Sequence, residues 1–119
     1  MEDTMETPSD NALADDFDHE ALRRAVRHSR RLYTGQVRSK EVASVTEELG
    51  RHLDTLLTAC TTAAGDLPPA ERRTMSQASA HARQLLTDGP PPGAMSSVVH
   101  MQLLADAASA LAASLRAAR

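Results

Sequence analysis

Apolar residues recur at helical spacing in four separate runs of this chain, and polar or helix-breaking residues fill the gaps between them. The longest run lies in 39–64. Val42, Val45, Leu49, Leu53, Leu56, Cys60 and Ala63 follow one another in steps of three or four. That spacing places them on one face of an α-helix. Glu41, Glu47, Glu48, Arg51 and Asp54 fall off the stripe and can meet water. Ser39 suits the N-cap, Glu41 suits the positive end of the helix dipole, and Gly65 followed by Pro68 and Pro69 suits the stop.

The pattern predicts three further helices. One runs from about Asp16 to Tyr33, capped by Asp16 or Asp18 and closed by Gly35, with Leu22, Ala25, Val26, Ser29, Leu32 and Tyr33 on its apolar face. A third starts at Pro69, a residue that fits the first helical position, and runs to about Thr87 on a thin face of Met75, Ala78, Ala82, Leu85 and Leu86. The run Asp88 to Gly93 (DGPPPG) breaks the helical pattern and is expected to form an ordered, non-helical loop or a semi-rigid spacer. The last helix spans about Ala94 to Ala117 on a stripe of Val98, Met101, Leu104, Ala108, Leu111 and Leu115. Short connections make neighbouring helices antiparallel, so the expected fold is all-α, an antiparallel four-helix bundle. Residues 1–15 are polar, acidic and aperiodic, and are expected to be a disordered acidic N-terminal tail before a single domain over 16–119.

Composition changes this picture in one respect. Hydrophobic residues make up 41% of the 119 residues, but aromatic ones only 2%. The core must be built from Leu, Val, Met and Ala, which lets helices approach closely and suits a β-sandwich poorly. So small a core invites a second copy, and homodimerisation through the Ala-rich fourth helix is an expectation. The lone Cys60 excludes an internal disulfide and fits a reducing cytoplasm. Its position on the stripe reads as a small buried hydrophobe rather than a reactive thiol. No basic-then-apolar leader opens the chain, and no run of about 18 consecutive apolar residues occurs, so neither a signal peptide nor a membrane partner is expected.

Charge is unevenly placed. Residues 1–20 carry eight acids and no Lys or Arg, whereas 21–40 carry seven bases and no acid; the net charge of −3 conceals this. Arg23, Arg24, Arg27, Arg30 and Arg31 share one broad side of the first helix. Such a face is commonly just solvated. As a site it could take an acidic protein or peptide, the chain's own acidic tail, or nucleic-acid phosphates. The overall acidity and the missing aromatic platform argue against nucleic acid.

His28, His52, His81 and His100 fall one per helix, each close to its stripe. Converging, His52, His81 and His100 could line an interior pocket for a ligand or divalent metal. The spacing gives this little support, since no Glu-x-x-His or His-x-x-x-His pair occurs. The plainer reading is boundary histidines with one wet edge, and no cofactor is expected. No nucleophile elbow or phosphate loop occurs, and Glu47 and Glu48 point apart on a helix. No motif supports an enzyme, and that reading stays open as an alternative.

The segments LGRHLDTLL (49–57), Leu67-Pro68, HARQLL (81–86) and Gly93-Ala94 resemble small helical proteins of actinomycetes associated with natural product biosynthesis; the resemblance spans 45–115. The ending ASLRAAR departs from the more aromatic or His-containing finish of such proteins. The resemblance implies an accessory role in specialised metabolism and carries over no catalytic residues. The leading functional expectation is therefore a non-enzymatic accessory protein that binds another protein, a peptide or itself. A His-lined ligand- or metal-binding or enzymatic bundle, and a nucleic-acid-binding regulator using the Arg-rich helix, stand as alternatives.

Overall fold

The four periodic runs fold as four helices in a computed structural model that describes residues 17–34, 39–93 and 95–117. They are α1 (His19–Thr34), α2 (Ser39–Ala64), α3 (Pro69–Asp88) and α4 (Ser96–Ala117). Among the described residues there is no strand, and the fold is all-α. The acidic tail over 1–15 and the Gly35 stop lie outside the described residues.

Local chemistry explains the helix ends. The Asp18 carboxylate accepts from the Ala21 N–H at 2.9 Å, which selects Asp18 over Asp16 as the cap of α1. Phe17 and Leu22, flanking that cap at the positions of a hydrophobic staple, are both buried. Ser39 is the first helical residue of α2 rather than the residue before it. Gly65 does not adopt the left-handed conformation expected of a C-cap. The chain leaves α2 through two tight turns instead, Asp66 N–H to Ala63 O and Leu67 N–H to Ala64 O, each 3.2 Å. Positive φ occurs instead at Gly89 (+70°) and Gly93 (+131°), and the Gly89 N–H donates to Leu85 O at 3.2 Å where α3 ends.

Direction follows from contacts along the helices. His28 meets Glu41 at 3.4 Å and Phe17 meets the His52 ring at 5.8 Å, so α1 runs antiparallel to α2. Arg116 reaches His19 at 3.2 Å, so α1 is antiparallel to α4 as well. The start of α3 lies beside the end of α4, around Met75 and Ser114. By contrast α2 and α4 are parallel: Val42 and Val98 flank one groove, and further along Cys60 Sγ lies 3.9 Å from Leu111 O. These two make the most extensive contact in the bundle, while α1 and α3 lie on either side and barely touch each other. The residue types explain this. Ala59, Cys60, Ala105 and Ala108 are fully buried, and such small side chains bring helices that would be diagonal in a square bundle into direct contact.

The apolar stripes of α2 and α4 are buried as their periodicity predicts; Leu49, Leu53, Leu56, Leu104, Leu111 and Leu115 are essentially inaccessible. Buried Ser29 donates to Val26 O at 2.7 Å within its own helix, which satisfies its hydroxyl. In α3 only Met75, Ser79 and Ala82 are buried, in line with its thin face. One expectation fails: Tyr33 is 49% exposed, because it lies beyond Leu32 on the wet side of the last turn of α1. In α4, Ala105, Ala107, Ala108 and Ala112 are buried inside the chain, which leaves Leu103, Ala110 and Ala113 on its exposed side. By length and a mean hydropathy of 1.4, α4 is apolar enough to cross a membrane, but here it is the helix against which the other three pack.

Candidate functional site

All five arginines of α1 reach the surface, and the helix sorts them into two rows. At about 100° per residue, Arg23, Arg27 and Arg30 line up, and Arg24 and Arg31 form a second row roughly a quarter-turn away. The first row borders a groove of about 310 Å³ between α1 and α4, whose other wall carries Ser109, Ala112 and Arg116. Thus four guanidinium groups, three local and one from the far end of the chain, surround one cleft.

The cleft already holds a carboxylate at its rim. Glu20 accepts from Arg23 at 2.7 Å, with Arg27 at 3.9 Å. The hydrogen bond and charge of Arg23, helped by Arg27 and Arg24, hold the Glu20 carboxyl below the ordinary range. The planar, five-donor guanidinium favours carboxylates in this way. Sequence reasoning missed two members of this cleft. Arg116 lies at the opposite end of the chain, and no local pattern could join it to α1. His19 was passed over because it sits at the helix start, ahead of the stripe; it bonds Arg116 through Nδ1 at 3.2 Å.

The remaining histidines do not converge. His81 is exposed on α3, a turn of about 100° away from buried Ala82. His52 is half-buried at the α1–α2 seam, beside Phe17 and 3.4 Å from Glu48. His28 pairs with Glu41 at 3.4 Å. His100 alone enters a cavity, a groove of about 440 Å³ at the end where α2 and α4 begin. The pocket expected of His52, His81 and His100 together is therefore not formed. Among the described residues no cluster of three or more His, Cys, Asp or Glu could hold a metal.

His100 itself is unusual. It is 7% exposed, and its Nδ1 is sealed from water with no hydrogen-bond partner. Burial pushes its imidazole pKa down from 6.5, so the ring is neutral at pH 7. Cys60 is the other buried group with chemistry. Desolvation raises its thiol to about 11, which makes it inert and bears out its reading as a small core residue.

The model of a family of unknown function, DUF6415, matches residues 20–119. No curated protein and no solved structure matches the chain. The match covers α2, α3 and α4 whole and α1 from its second residue onward.

Proposed function

The chain belongs to the DUF6415 family, and from that premise we propose that it is a non-enzymatic interaction protein whose arginine cleft grips an acidic segment of a partner protein or peptide. The observation that supports this reading is the gathering of Arg23, Arg27, Arg30 and Arg116 from two helices around one groove. Scattered surface charges would need no such convergence. Glu20 shows how the cleft treats a carboxylate: the side chain is drawn onto Arg23 and Arg27 although it is exposed. On the resemblance over 45–115, the proposal extends to an accessory role in the cytoplasm of an actinomycete, beside a specialised-metabolite pathway enzyme or its peptide substrate.

The test is titration of the full chain with a fluorescent Glu- and Leu-rich peptide. Binding should weaken as salt rises. The double variant Arg27→Glu/Arg30→Glu should lose about tenfold or more in affinity, because each lost ionic hydrogen bond carries roughly 1.5–3 kcal/mol. Its helical circular dichroism should stay as in the parent. Unchanged affinity would overturn the reading. So would tighter binding of a short DNA duplex than of the peptide at the same salt, which would assign the cleft to phosphates.

A further inference from the structure

The second groove lies at the end of the bundle where two parallel helices start together. Its walls are Val42 and Ala43 from α2 and Met95 and Val98 from the α4 side. Hydroxyls of Ser39, Thr46 and Ser97 border it. Its volume of about 440 Å³ falls in the range of small-molecule sites. The two helices start together and in parallel, so the positive ends of their dipoles point the same way; in α4 the Ser96 and Val99 N–H groups are already bonded to Gly93 O and Met95 O, at 3.2 and 2.9 Å.

His100 supplies the independent observation. A neutral imidazole has one N–H and one lone pair. With Nδ1 sealed and unpartnered, placing the proton there would strand a buried donor; leaving a bare acceptor is the smaller penalty. A neutral ring that keeps Nδ1 as its bare acceptor carries its proton on Nε2, the nitrogen that is not among the buried, unpartnered atoms. The groove thus presents donors. Its one carboxylate, Glu47, is largely exposed and reaches Arg51 at 4.0 Å. Glu41, in the first turn of α2, pairs with His28 at 3.4 Å.

We propose that this groove binds a small carboxylic acid with a compact apolar body. The carboxylate accepts from His100 Nε2–H among the hydroxyls of Ser39 and Ser97, and the body lies against Val42 and Val98. This ligand is distinct from the acidic segment assigned to the arginine cleft, and the site stands whether or not that assignment holds.

Octanoate and 1-octanol, which share a tail and differ in the head group, separate the terms in calorimetric titrations of the full chain. Octanoate should bind, and octanol about tenfold more weakly, because it lacks the charge-assisted acceptor. His100→Phe, which keeps the ring, should weaken octanoate by about tenfold or more. Ala43→Trp fills the groove from an exposed position and should abolish binding without disturbing the core. Arg27→Glu/Arg30→Glu should leave octanoate binding unchanged, which excludes the arginine cleft as its site. In the unmodified chain, octanoate should shift the His100 ring signals in NMR spectra and leave those of exposed His81 in place, a readout that survives if His100→Phe does not fold. The proposal is overturned if octanoate does not bind, if octanol binds equally well, if Ala43→Trp leaves octanoate affinity intact, if the arginine variant loses it, or if the His100 ring does not respond.

Discussion

The inner pair α2 and α4 and the outer pair α1 and α3 are built from the same small set of residues, yet they do different work. The inner helices bury Leu, Met and Ala at nearly every turn of their facing sides. The outer helices bury little more than single stripes, and the thinner of them, α3, buries three residues. What the outer helices keep is surface, and α1 uses it for arginine. In a chain with almost no aromatic volume, one pair of helices must take most of the core. The other pair is then free to carry charge and to border grooves. Each groove described above has an inner helix, α4, as a wall, so both candidate sites sit on the margin of the densest packing.

The difference between the pairs can be broken most forcefully from the inside. Leu53→Ala removes a fully buried side chain from α2 and should cost about 2–5 kcal/mol in denaturant unfolding. Leu86→Ala, on the outer helix α3, should cost less, about 1–2 kcal/mol, since part of that side chain already meets water. Equal costs would mean that the outer helix is packed as tightly as the inner pair. A second probe needs no substitution. With its thiol raised to about 11 and buried beside Leu111, Cys60 should react with a thiol reagent at pH 8 on the order of a hundredfold more slowly than an ordinary cysteine. Denaturant should restore the rate only when the whole bundle opens.

The same contrast explains what could be read from the chain alone. The stripes of α2 and α4 were legible because a long buried face leaves a long periodic record: Val42 to Cys60 and Val98 to Leu115 are buried as their spacing requires. Short faces leave ambiguous records. Tyr33 follows the stripe of α1 by adjacency but points to water, and His81 does the same beside Ala82. Phe17 lies outside any periodic run, so its burial against His19 and His52 left no signal beyond a large apolar residue before a cap. The candidate sites were legible only in halves. The arginine row is local, but Arg116 joins it through tertiary packing alone. His100 is legible as a histidine near a stripe, but the burial of its Nδ1 is a matter of tertiary packing, which helix periodicity does not encode.

The gentlest test of the inner–outer contrast is Gly50→Ala, at the seam where α2 meets α3. A methyl group built at Gly50 would lie 3.9 Å from Leu86 Cδ2, an ordinary contact distance, and Gly50 does not hold a left-handed conformation. Nothing at that seam requires glycine, and glycine inside a helix costs about 0.5–1 kcal/mol relative to alanine. The variant should therefore raise the unfolding midpoint by a corresponding amount. Ala108→Val adds bulk where α4 packs with no exposure, and should instead lower it, by about 1–3 kcal/mol, because no side chain there can move aside. Opposite signs from two additions of apolar bulk would place the slack in the bundle at the outer seam. A loss of stability in Gly50→Ala would show that α3 is gripped as closely as the inner pair, and the division between packing helices and surface-bearing helices would then hold for α1 alone.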